Sequence, residues 1–382
     1  MDKLILAPRQ MHKDLLLKFR KDDIFANPKI LTKEELFYKY YGEIGETGCL
    51  LLLAKKSNNF DNLMNLIPYI PRSTANCKTI KNTYLFDLKE ELEKEGLLLN
   101  DEFFDQLTSE KEIEVYGYSE LDHEITSFLK ENSFKYSFVP FSKGNNELCI
   151  KKFPLIEDEI FFLLNEIAKL IEEGVSSKDI YIYTSNDSAK FYLRKYQDSF
   201  GLKVNFPNDI PVSSQESVTN FLNICYETKN IDAGMQYLRS PSVRISEEVY
   251  ELIFRLSEVS KFLPAVKRYD FIASNLKRTH LENERFENGI SLISEPIFTE
   301  NKHIFIPCFA QNIYPKSFKD VEYISDVDKI ELGVLTSLEK CRVEDAICRD
   351  FLLSNNNFYL SRSSASFSES ILKPSKIVSL LN

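Results

Sequence analysis

Tryptophan is absent from the 382 residues, and histidine occurs only four times. With so few imidazoles and no Cys-x-x-Cys pair among the seven cysteines, no zinc-ligand spacing can be read. Cys49, Cys77, Cys149, Cys225, Cys308, Cys341 and Cys348 are scattered along the chain. That pattern predicts reduced thiols and a cytoplasmic protein, with Cys341 and Cys348 at the core or its boundary. No apolar run is long enough for a membrane helix, and no secretory leader is expected. Positive charge is also short. Lys and Arg number 48 against 58 Asp and Glu, a formal net charge of -10. Such a total opposes non-specific coating of nucleic acid and leaves room only for a local basic strip. What is plentiful is apolar matter, at 43%. A chain of this length and composition is globular and suits two or three domains.

Glycine is missing where one local frame would demand it. Lys3 to Ala7 reads as a short strand, and Pro8 to Arg20 as a turn and an amphipathic helix with Leu15, Leu16, Leu17 and Phe19. Strand, loop, helix is the frame of a phosphate-binding loop, whose pattern is G-x-x-x-x-G-K-S/T. The residues here are Ala7-Pro8-Arg9-Gln10-Met11-His12-Lys13-Asp14, and of the pattern only Lys13 survives. Without glycine the backbone N–H groups are hindered from wrapping a phosphate. The carboxylate of Asp14, in the place of a magnesium-binding hydroxyl, would repel it. A plain strand–helix turn with a surface lysine is the competing reading.

Further along, Lys29 to Leu31 reads as a strand, followed by a Thr32-x-x-Glu35 capping box and two or three helices. Thr83 to Asn100 adds a charged helix with a solvated face. Ile113 to Tyr116 is a strand ending at Gly117, followed by a helix from about Glu120 to Lys130 and a strand at Tyr136 to Val139. Cys149 to Phe153 is a strand. Ile156 to Glu173 is an amphipathic helix closed by Gly174. Asp179 to Thr184 is a strand, Asn186 to Asp198 a helix, and Leu202 to Phe206 a strand. Residues 213–287 are helical. In the last third, the strand His303 to Ile306, a loop with Tyr314-Pro315, a helix from Ser337 to Leu353 and a strand at Phe358 to Ser361 form a crossover unit of a parallel sheet.

The order of "SEP", "IFIPCF", "QNIYP", "ISDVDKIELG", a helix and "FYLSRSSAS" resembles the second RecA-like domain of superfamily 1 helicases. The variant it most resembles is the AddB/RexB type of helicase–nuclease subunit. Phe309 to Pro315 stands where the family has a G-x-x-E/D-G-x-F/Y-P loop, and Leu360-Ser361-Arg362 where a later strand ends in SR. The run from Phe153 to Tyr183 resembles the opening of that domain. The resemblance implies an α/β fold of two RecA-like parallel-sheet domains, the second interrupted by a helical insertion. Residues 1–145 would form the first domain, 146–212 and 286–382 the second, and 213–285 the insertion.

The resemblance also shows what has changed. Tyr116 stands where relatives carry a carboxylate for metal and water, and a phenol cannot do that work. Leu292 to Glu300 lacks the His and Lys-Gly of the motif that couples nucleotide to DNA. Lys13, Arg194 and Arg362 remain as remnants of a nucleotide site, with a surface ion pair the expected role for Arg194. The segment Ile371 to Val378 resembles the stretch leading into a PD-(D/E)xK nuclease domain. In the insertion, Lys261, Lys267, Arg268, Lys277 and Arg278 interleave with Phe262, Tyr269 and Phe271, a pattern that suits single-stranded nucleic acid. Solvated lysines flanking core aromatics are the other reading of that stretch.

The expectation is therefore a catalytically inactive helicase-like protein, a scaffold or DNA-binding subunit in repair or recombination. It would use no cofactor, bind DNA ends or single strands, and pair with a RecB/AddA-like motor–nuclease subunit. The alternatives are an active ATP- and magnesium-dependent motor, the front part of a longer nuclease protein, or an interaction module with no DNA role.

Overall fold

The computed structural model describes residues 4–22, 28–55, 60–99, 112–144, 148–208, 210–320, 323–364 and 373–377. Lys3, Asn100, Ala365, Ser366, Ile371, Leu372 and Val378, which belong to expected segments above, lie outside the described residues.

The first lobe begins β1 (Leu4–Leu6), α1 (His12–Asp22), β2 (Lys29–Leu31) and α2 (Lys33–Tyr41). A helical excursion follows: β3 (Glu43–Ile44), α3 (Glu46–Lys55), α4 (Phe60–Leu66), α5 (Ile80–Lys94) and β4 (Leu98–Leu99). The chain then returns as β5 (Glu112–Tyr116), α6 (His123–Glu131) and β6 (Lys135–Val139). Strands β2, β1, β5 and β6 lie in that order, all parallel, with Leu4 opposite both Lys29 and Ile113. Alternation sets the two faces. Leu4, Leu6, Ile113 and Val115 pack under α2 and α6, while Ile5, Ala7 and Tyr116 pack with Met11 and Leu15 on the other side.

The second lobe has β7 (Ile150–Phe153), α7 (Ile156–Glu172), β8 (Ile180–Tyr183), α8 (Asp187–Tyr196) and β9 (Val204–Asn205). Four helices are inserted: α9 (Glu216–Thr228), α10 (Ile231–Leu238), α11 (Glu247–Ser260) and α12 (Ala265–Arg278). The lobe is completed by β10 (Ile290–Ile293), β11 (His303–Ile306), α13 (Asp326–Glu331), α14 (Ser337–Leu352) and β12 (Asn357–Ser363). Its sheet runs β7-β12-β11-β8-β10-β9, again all parallel. The expected α/β fold with two parallel sheets and a helical interruption is what is seen.

Several local readings change, among them the helix read over Thr83 to Asn100, which is α5 (Ile80–Lys94) followed by β4 (Leu98–Leu99). β9 is two residues long rather than five, because Gly201 (φ +66°) turns the chain and Leu202 N–H bonds back to Gln197 O. α6 starts at His123 rather than Glu120, because Asp122 caps it by accepting from the N–H groups of Glu124 and Ile125. Ile290–Ile293, read only as part of a motif, is an interior strand between β8 and β9.

The helical excursion of the first lobe and the insertion of the second share one core. Leu52, Leu63, Leu85 and Leu88 are buried in the same cluster as Phe221, Ile253, Phe271 and Leu276. The two sheets meet through rings: Phe298 stands edge-on to Tyr116 at 4.8 Å and lies 5.5 Å from Phe141, which lies 5.7 Å from Phe351.

Candidate functional site

In an open parallel sheet, ligands enter at the carboxyl ends of the strands, where the strand order reverses. After β10, on one side of β8, the chain crosses to β11 on the other, so the reversal in the second sheet is at β8. A cavity of about 230 Å³ lies there, lined by Tyr183, Thr184, Ser294, Glu295, Tyr314 and Glu344. It shares Glu295, Pro296, Phe318 and Glu344 with a cleft of about 780 Å³ that reaches the strand ends of the first sheet at Pro8, Lys33 and Tyr118. This interlobe cleft is where a nucleotide motor would hold its phosphates.

The turn after β1 is closed on itself. Met11 N–H donates to Pro8 O at 2.9 Å, His12 N–H donates to Arg9 O, and Pro8 has no N–H to offer. The His12 ring lies 3.0 Å from Ala7 O. Met11 is fully buried. Its thioether fills the space over Gly117, where an added Cβ would come within 2.4 Å of Met11 Cε. Gly117 has φ +67°, so the turn after β5 uses a left-handed residue to pass beneath that side chain. Gln10, inside the same turn, reaches the other lobe: its amide donates to Ser294 Oγ at 3.1 Å and accepts from Glu295 N–H at 3.3 Å.

Charge in the cleft follows the same pattern. Lys33 Nζ is 2.6 Å from Asp122 Oδ2, and Arg72 is 2.8 Å from Glu124 Oε2. The guanidinium of Arg72 also lies 4.4 Å from the centre of the Phe37 ring. Burial pushes the Asp122 carboxyl up, against the pull of Lys33. For Glu124 burial is the largest influence, yet Lys33, Arg72 and the Leu335 N–H together hold it below the ordinary value. Glu295 is raised by burial and then by Glu34, and Glu344 is raised by burial and further by Glu295. Lys316 pulls both carboxyls back down.

None of the expected nucleotide remnants, Lys13, Arg194 and Arg362, lines this cleft. Lys13 is exposed on α1, and burial raises the carboxyl of its neighbour Asp14. Arg194, on α8, has its guanidinium 4.3 Å from the centre of the Phe206 ring. Arg362 is on β12, opposite Lys152 of the edge strand β7. Beside it, the buried Glu159 accepts from Cys308 N–H and Ser361 Oγ, both at 2.7 Å, and burial raises its carboxyl. Tyr116 donates to Glu114 at 2.8 Å and packs on Phe298. Among the described residues no His/Cys/Asp/Glu group is arranged to hold a metal ion, and no helix is long and apolar enough to cross a membrane.

The basic residues of the insertion divide into two sets. Lys267 caps the end of α3 by donating to Leu53 O at 2.7 Å, and Arg278 reaches Asp61. Lys277 is exposed at the end of α12, away from the lining of the interlobe cleft. These three do not line the groove that the others form. Lys261, Arg268 and Tyr269 do line a groove of about 750 Å³ between α9, α10, α11 and α12. Arg268 is held by Leu263 O and Lys261 O, and Lys261 pairs with Glu258. The sequence reading missed the groove's other members. Tyr226, 58% exposed, lies 5.5 Å from Tyr269, and Lys229 sits 4.1 Å over its ring. Arg239 completes the rim, against Asp232 and Asp270. An aromatic followed three residues later by a lysine at a helix end was the available signal.

No protein-family model matches the chain, and no curated protein matches its sequence.

Proposed function

We infer that this chain is a helicase-like protein without ATPase chemistry, a cytoplasmic scaffold or DNA-binding subunit in DNA repair or recombination. The observation that carries the reading is Met11. Its fully buried thioether fills the space over Gly117 beside the turn, and the N–H groups of Met11 and His12 are spent on Pro8 O and Arg9 O, which leaves less of the turn to cradle a phosphate. Glu34, Glu295 and Glu344 line the same cleft and disfavour a polyphosphate wherever they are ionised. The DNA side of the proposal rests on the aromatic and cationic groove of the insertion, where exposed rings offer a stacking surface to a single strand. A RecB/AddA-like motor–nuclease subunit is the partner that such a scaffold would serve.

Two measurements test it. The purified chain should hydrolyse no Mg-ATP with or without DNA; DNA-stimulated hydrolysis lost in Lys13→Ala would overturn the reading. A labelled single strand should bind with strong salt dependence. Tyr226→Ala and Lys229→Glu should weaken that binding, and no binding at low salt would leave only an interaction module.

A further inference from the structure

Between β11 and β12 the second lobe does not cross directly. Residues 323–336 leave it, enter the helical core, touch the first lobe, and return as α14. Ile324, Leu332 and Val334 are buried in the same cluster as Leu85 and Leu88 of α5. The Glu331 carboxylate accepts from the N–H groups of Lys78 and Thr79 and from the Asn82 amide, at the start of α5. Asn82 also donates to Asp328 O at 2.9 Å. Past the left-handed Gly333, Leu335 N–H donates to Glu124 Oε1 of α6 at 2.8 Å, in a buried position. The segment is stiff in itself. Asp326 Oδ1 accepts from Ser337 N–H and Oγ at 2.8 and 3.0 Å, and lies 3.3 Å from the fully buried Lys329.

We propose that residues 323–336 are a strap that holds the two parallel sheets in one fixed relative position. Rotating one sheet against the other would pull Leu335 from Glu124, leaving that buried carboxylate with Arg72 and Lys33 alone, and would draw Glu331 off the start of α5. A nucleotide motor works by moving its two sheets; here a segment of the second lobe packs against the first lobe's helical layer and is fastened to both α5 and α6. This goes beyond loss of ATPase chemistry, since a dead motor without the strap would still be free to open and close.

Hydrogen exchange of the full chain tests it. In the wild type, amides of 326–338 should exchange as slowly as those of β8 and β11. Glu331 lies at the helical layer's edge, so Glu331→Ala leaves the cores of both sheets untouched. It should speed exchange at least tenfold at 326–338 and at 78–84 together, with β8 and β11 unchanged. Glu124→Gln keeps an oxygen for Leu335 N–H but loses both ion pairs, and should give a smaller rise at the same two segments. Fast exchange of 326–338 in the wild type, or a rise confined to 78–84, would overturn the strap. ATP hydrolysis with a protected strap would defeat the functional reading and leave this one standing.

Discussion

A Gly117→Ala substitution adds one methyl group where the protein has no room for it. Gly117 has φ +67°, and alanine in that left-handed conformation costs about 1–2 kcal/mol. The new Cβ would lie 2.4 Å from Met11 Cε, 2.6 Å from Sδ and 3.1 Å from Pro8 Cδ. A thioether is unbranched and adaptable, so displacing it belongs near the low end of overpacking, about 1 kcal/mol. The two together make about 2–3 kcal/mol of destabilisation. Met11→Ala alone removes a fully buried side chain and costs about 2–5 kcal/mol. In the double variant the clash is gone and the backbone strain stays, so its loss should be about 1 kcal/mol less than the sum of the singles. Urea unfolding followed by tyrosine emission suits a chain with 19 Tyr and no Trp. A Gly117→Ala loss under about 0.5 kcal/mol, or strictly additive losses, would mean that Met11 does not fill this space.

Mg-ATP should leave the melting temperature of the wild type and of Lys13→Ala unmoved, whereas a ligand at a hundredfold its Kd adds about 2.7 kcal/mol; an upward shift in the wild type alone would contradict the closed turn. Lys267→Ala should lower stability by about 1 kcal/mol through the lost cap on α3 while leaving single-strand affinity unchanged, and the reverse result would return Lys267 to the binding surface. Glu159 is raised above the ordinary glutamate value of 4.5. Between 4.5 and that raised value the folded state keeps a proton that the unfolded state has released, so this group's contribution falls as pH rises through the window. Glu159→Gln removes the ionisation while keeping an oxygen to accept from Cys308 N–H and Ser361 Oγ. The variant should gain on the wild type as pH rises through that window; a constant difference between acid and neutral denaturation curves would show that the carboxyl titrates normally.

Much of the architecture is local and was therefore readable. Thr32 and Glu35 form the capping box that their spacing implies. The apolar period of α7 runs to Gly174, whose φ of +97° ends it. The β11–α14–β12 crossover is parallel, with Ile304 opposite Phe358. The site was less legible. Lys267 looks like any basic residue on a helix until Leu53 O is placed beside it. Nothing near Met11 in the chain announces that Gly117 lies beneath it. Glu331 belongs to an acidic run whose ordinary reading is a solvated face, yet it grips the start of α5.

The amino-acid order alone determined most of the strands and helices, several of their caps and the lack of a glycine cradle, because periodicity and capping act over a few residues. Only the packed chain decided which charges are neutralised, which rings stay at the surface, and where the 323–336 segment is fastened. Those contacts join residues hundreds of positions apart, and the partner of a buried carboxylate is set by how the sheets and crossovers bring distant segments together.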